Sequence, residues 1–171
     1  RCWGFAGLNL MRLQVVDSLE LNTFEFSQNY FMFWDKLEKA NYFLENIIKS
    51  RDESYESRLI THLLKAPVQD GGQWDMFVNL INKYGAVPKD VMPETNHSSK
   101  SGAMNYILTH KLREFASILR KKPAKNSAAL KKDMMETIYN LLAMFLGQPP
   151  DVINWSTRNK DNRHIVISDM T

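Results

Sequence analysis

Apolar residues recur at steps of three and four through most of this chain, and that period leaves room for little besides helix. Phe5, Leu8, Met11, Val15 and Leu19 mark one buried face at the front. Tyr30, Phe31, Trp34, Leu37, Leu44, Ile47 and Ile48 mark a second, broken once by Asn41, with Ser27 placed to cap it. Its aromatic density (Phe31, Phe33, Trp34, Tyr42 and Phe43) reads as core bulk. Leu59, Ile60, Leu63 and Leu64 give a short third helix stopped by Pro67. Phe77, Leu80, Ile81 and Tyr84 give a fourth over 73–84, closed by Gly85. Two long helices follow, one on Met104, Leu108, Leu112 and Phe115, the other on Leu130, Met134, Ile138 and Leu142, ending at Gly147 and Pro149-Pro150. Only near the end does the period change, where Ile165 and Ile167 alternate as in a strand entering a sheet. The chain is read as mostly helical with a minor sheet.

A length of 171 residues is about one domain's worth, and 44% hydrophobic with 24% charged residues is ordinary for a globular core. No apolar run approaches the ~20 residues of a membrane span. Asn9, Arg12, Gln14 and Asp17 interrupt the first helix, so it is no signal-peptide core. No membrane association is expected. The single cysteine cannot form an internal disulfide, which fits a reducing compartment and a cytoplasmic location. A start at Arg1 without Met, and an end within the strand-like 166–171, make both ends look cut. The net charge of +3 is modest, but residues 111–132 hold eight lysines and arginines against Glu114 alone, a local excess of +7. Such a patch could attract nucleic acid, or it could be the solvated surface of two helices.

Two stretches carry chemistry. Cys2 stands at or just before the first turn of a helix, where free backbone N–H groups and the positive end of the macrodipole favour a thiolate. A cysteine so placed can be a nucleophile; a lone cysteine can equally be a small buried hydrophobe. Gly71 and Gly72 precede the fourth helix, either as a simple turn or as a place where glycine admits unusual backbone angles and lets another backbone approach. His62, His97 and His110 read as surface or helix residues, and 95–102 as an exposed loop. No metal ligand set and no cofactor box is found.

Cys2-Trp3-Gly4-Phe5-Ala6 opening a long helix resembles the active-site helix of papain-like cysteine peptidases. The stretches Phe24-Glu25-Phe26-Ser27-Gln28-Asn29-Tyr30 with Phe33-Trp34-Asp35-Lys36, and Asp70-Gly71-Gly72-Gln73-Trp74-Asp75-Met76, resemble the bleomycin hydrolase and bacterial aminopeptidase C branch of that clan. The likeness runs to about Lys160. It implies an α+β papain-like fold, of which this chain supplies the N-terminal part. Residues 1–97 would form the helical lobe with the nucleophile helix, 98–150 a helical-hairpin insertion associated with assembly, and 151–171 the return into the core sheet.

The resemblance also implies roles. Cys2 would be the nucleophile, and its own N–H one oxyanion donor. Gly72, with Gly71 shaping the turn, would hold substrate backbone on the acyl side of the scissile bond. The family's oxyanion glutamine would precede Arg1, and its histidine and asparagine lie in His-Ala and Asn-Ser-Trp contexts that do not occur here. None of His62, His97, His110 or His164 matches them, so the isolated chain is expected to be inactive within an active parent. The substrates would be peptides, shortened from the amino terminus, and the assembly a homo-hexamer with a C-terminal arm in each cleft. The alternatives are a nucleic-acid-binding module using 111–132 and a non-catalytic helical interaction module.

Overall fold

The computed structural model describes residues 2–121 and 123–170. Among the described residues, seven α-helices and one hairpin follow in order. They are α1 (Cys2–Ser18), α2 (Gln28–Lys49), α3 (Arg58–Lys65), α4 (Trp74–Tyr84), α5 (Asn96–Ser99), α6 (Gly102–Lys121), α7 (Ser127–Leu146), β1 (Ile153–Arg158) and β2 (His164–Met170). A 3-10 turn at Ala124–Asn126 precedes α7 in the connection from α6.

The axis of the structure is α2. Ser27 caps it as its sequence suggests, accepting from the Tyr30 N–H at 3.0 Å, while its hydroxyl donates to the Met92 carbonyl at 2.5 Å. Helices on several sides cover α2, so its buried set exceeds one stripe: Met32, Phe33, Ala40, Phe43, Leu44 and Ile47 are buried together with Asn29, Asp35, Lys36 and Lys39. Its main core is shared with α3, α6 and α7 through Ile60, Leu108, Leu112, Ile138 and Leu142. A smaller cluster of Leu8, Phe31, Phe77 and Leu80 joins α1 and α4 to its other side.

Polar groups then fix the ends. Asn29 Nδ2 donates to the Pro93 carbonyl at 2.8 Å and to the Leu146 carbonyl at 2.7 Å, satisfying an orphan acceptor at the end of α7. Gly85 and Gly147 close α4 and α7 at φ of 71° and 86°, a region that costs glycine nothing. The linker after α4 returns beside the entry to α2, pairing Phe26 with Pro88.

Four sequence expectations change. First, α1 does not bury a full stripe. It lies against α2 and α4 through Gly4, Gly7 and Leu8, leaving Phe5, Met11, Val15 and Leu19 half-buried and Leu10 and Leu13 exposed. Glycine is required at both contacts, since a Cβ on Gly4 would fall 2.4 Å from Phe31 and one on Gly7 2.4 Å from Phe77. Second, Tyr42 is 67% exposed, because it faces away from the cores that claim Phe33 and Phe43. Third, 95–102 is not a plain loop: Thr95 and Ser98 form a reciprocal capping box around α5, Ser98 is buried, and His97 packs edge-on against Phe145. Fourth, the chain end carries two strands. Antiparallel β1 and β2 pair Trp155 with Ile167 and Thr157 with Ile165, and Trp155 packs edge-on against Phe24. The polar 159–163 between them is the hairpin turn, in which the Asn159 side chain accepts from the Asp161 and Arg163 N–H groups.

Candidate active site

Cys2 is the first residue of α1 and is exposed. Its N–H belongs to the first turn, where a helix has no carbonyl to offer its own donors. Trp3, next in the chain, links this helix end to the Asp70–Gly72 stretch. The Trp3 indole N–H donates to the Asp70 carbonyl at 2.9 Å, and its ring meets Phe31 edge-on at 5.2 Å. The Lys39 ammonium lies 5.4 Å from the ring centroid, in cation–π range.

The two glycines turn out to differ. Neither adopts a positive φ, so unusual backbone angles are not the reason for glycine here. Gly72 lies against the Trp3 ring, where a Cβ would fall 2.3 Å from Cε2; a Cβ on Gly71 would meet nothing within 4 Å. What approaches closely is an aromatic side chain of α1, the residue next to Cys2. Among the described residues, no hydrogen bond engages the main chain of Gly71 or Gly72, which leaves their donors and acceptors open to an incoming strand.

A cleft of about 910 Å³ borders both glycines and runs between α2, α3 and α4. Tyr42, Phe43 and Met76 give it apolar walls, and His62, Asp35, Glu38, Lys39 and Lys83 its polar ones. Cys2 does not line it. Glu38 accepts from the Lys83 ammonium and the Tyr84 hydroxyl; together these outweigh burial and hold its carboxyl below the usual range. Tyr84 is also stacked on Trp34, with centroids 4.0 Å apart.

Near the glycines are two lysines, Lys36 and Lys39, to which the sequence reading assigned no role. The Lys39 ammonium donates to Asp35 Oδ2 at 2.8 Å, both side chains being buried. Burial still pushes Asp35 up against that pairing. The Lys36 side chain is 0% exposed, and it donates to the Val68 carbonyl at 2.7 Å and to Asp70 Oδ1 at 2.6 Å. Burial draws Lys36 down from the ordinary lysine range. Asp70 sits below its ordinary value because the Lys36 contact outweighs its own partial desolvation. A lysine on the inner face of a helix, opposite an aspartate before Gly-Gly, was the available signal. Its partner 34 residues away was not visible from spacing.

None of the contacts among the described residues joins His62, His97, His110 or His164 to Cys2. His62 lines the cleft, and His110 stacks obliquely on Tyr106. Among the described residues no group of three or more His, Cys, Asp or Glu could hold a metal, and no helix is long and apolar enough to cross a membrane.

Much of the basic patch is engaged internally. Lys111 pairs with Glu114, Arg113 donates to the Leu64 and Lys65 carbonyls, Arg120 to the Ser50 and Glu53 carbonyls, and Lys131 to Glu45. Lys122 lies outside the described residues.

The chain is similar to known proteins in sequence and in fold. The model of the Peptidase C1-like family matches residues 1–171. Aminopeptidase C of Listeria innocua is 56% identical over 164 residues, covering 95% of this chain and 37% of its own length. Bleomycin hydrolase of Oryctolagus cuniculus is 42% identical over 178 residues, covering 100% of this chain and 64% of the relative. The crystal structure of PepW from Lactobacillus rhamnosis superposes with a TM-score of 0.96 at 45% identity, covering 100% of this chain and 40% of that one. The chain thus spans well under half the length of the Listeria protein and of PepW. Its fold is the α+β, papain-like one, and the chain belongs to the Peptidase C1-like family.

Proposed function

We propose that the protein to which this chain belongs is a cysteine-type aminopeptidase, with Cys2 as its nucleophile. The thiolate attacks the carbonyl carbon of the first peptide bond. The tetrahedral oxyanion is met by the Cys2 N–H, and the C–N bond breaks as an imidazole from the rest of the protein protonates the departing amine. The resulting thioester is hydrolysed by water, releasing the amino-terminal residue as a free amino acid. The unpaired main chain of Gly71 and Gly72 hydrogen-bonds the acyl side of the substrate, a contact that gives affinity with little side-chain preference.

The observation that supports this most is the coupling of an exposed Cys2 at a helix start, through Trp3, to a stretch with open main-chain groups. The names of the relatives, aminopeptidase C and bleomycin hydrolase, point to the same reaction class. On the same family reading the substrates are peptides with a free amino terminus, the assembly is a homo-hexamer and the compartment is the cytoplasm. The isolated chain, lacking a histidine paired with Cys2, is inactive on this reading.

The test is hydrolysis of fluorogenic aminoacyl-amides by the full-length protein beside its Cys2→Ser form. Turnover is expected in the first, blocked by a thiol alkylator, and a loss of several orders of magnitude in the second. Turnover that survives in Cys2→Ser would remove Cys2 from the mechanism.

A further inference from the structure

The 66–73 stretch belongs to no helix or strand, yet it packs Gly72 so closely on Trp3 that an added Cβ would lie 2.3 Å from the ring. Among the described residues, three hydrogen bonds tie 68–72 to the rest of the chain. One comes from Trp3 Nε1 to the Asp70 carbonyl, and the other two come from Lys36 Nζ. Both Lys36 bonds go to this one segment, to the Val68 carbonyl and the Asp70 carboxylate, so a single ammonium grips it at two residues just before the glycines.

An ammonium with 0% side-chain exposure carries a heavy desolvation cost, and a methionine of similar length would fill the same space without it. What methionine cannot supply is a fixed donor for two acceptors. Lys36 is well suited to that task, because α2 is enclosed by other helices on several sides and offers a rigid element for the donor. Trp3 then transmits the loop's position to the nucleophile: the residue beside Cys2 is clamped between Gly72, the Asp70 carbonyl and Phe31.

We propose that Lys36 is a positioning residue for substrate binding, holding Val68 and Asp70 so that the open main chain of Gly71 and Gly72 stands in fixed register with Cys2. This rests on the peptidase reading above for its substrate, though not for its geometry. Asp70 is the second member of the device. Lying half in solvent, it supplies the counter-charge that lets Lys36 remain an ammonium.

Two readouts on the full-length protein and its Lys36→Met variant test this. Amide hydrogen exchange should speed by about tenfold over 68–73 while the α2 amides stay within about twofold, the size expected when a segment loses charge-assisted tethers. In parallel, kcat/KM on aminoacyl-amides should fall about tenfold, while the rate of Cys2 alkylation by iodoacetamide is unchanged. Asp70→Asn, altered at a half-exposed position, should show both effects at smaller size. Unchanged exchange over 68–73 in both variants overturns the proposal. So does faster exchange with undiminished kcat/KM, or a fall in alkylation in step with turnover, which marks general unfolding. If the wild-type protein cleaves no aminoacyl-amide, the peptidase reading fails by itself, and the exchange result alone then stands for or against Lys36.

Discussion

Adding one methyl group separates the two glycines of the candidate site. In Gly72→Ala the new Cβ would lie 2.3, 2.4 and 2.6 Å from Cε2, Cζ2 and Cδ2 of Trp3, where ordinary contact begins beyond 3.4 Å. The ring must therefore retreat by about an ångström, since non-bonded carbons are at rest near 3.5–4.0 Å. It has little freedom to do so, being held by its N–H on Asp70 and packed edge-on against Phe31. Overpacking of this kind costs about 1–3 kcal/mol, and losing the indole hydrogen bond adds about 1. A destabilisation of about 2–4 kcal/mol is expected. In Gly71→Ala the new methyl meets nothing within 4 Å and the backbone is not left-handed, so the change should be neutral or stabilising by up to about 1 kcal/mol. Urea unfolding of the two variants against wild type, read as midpoint shifts at constant slope, measures the difference. Equal damage from both substitutions would refute the reasoning, as would a Gly72→Ala protein within about 0.5 kcal/mol of wild type.

Two further outcomes follow from single side chains. Asn29→Ala removes the donors to Pro93 and Leu146 and leaves two carbonyls without partners, so it should cost about 2–4 kcal/mol by the same unfolding measurement; a loss under about 1 would show that water replaces the amide. Asp70→Asn should flatten the acid limb of stability. The folded-state pKa of Asp70 is depressed, so its contribution is complete above the unfolded value near 3.9 and is lost as pH falls through the lower folded value. Because Asp70 is half-exposed, the difference is under about 1 kcal/mol, and stability curves of wild type and Asp70→Asn should converge at the acid end of a pH 6 to 2 series. Curves that run parallel throughout would remove the linkage.

Local rules were enough for much of this protein. The apolar period fixed the existence and order of the main helices, Ser27 announced the start of α2, and Gly85 and Gly147 announced two ends, because each acts within a turn of its own position. The Cys-Trp and Asp-Gly-Gly motifs located the candidate site for the same reason: chemistry was written in adjacent residues. What the period could not say is how many neighbours a helix has. It treated α1 and α2 alike as one-faced, whereas α2 is enclosed on several sides, down to its Lys36 and Lys39, and α1 leaves Leu10 and Leu13 in the open. Nor could it explain Gly72, whose missing side chain answers to an indole 69 residues earlier, or Lys36, whose partners lie 32 and 34 residues on. Those facts arise only when the chain closes on itself, since steric exclusion and the pairing of a buried charge depend on distance in space and not along the sequence.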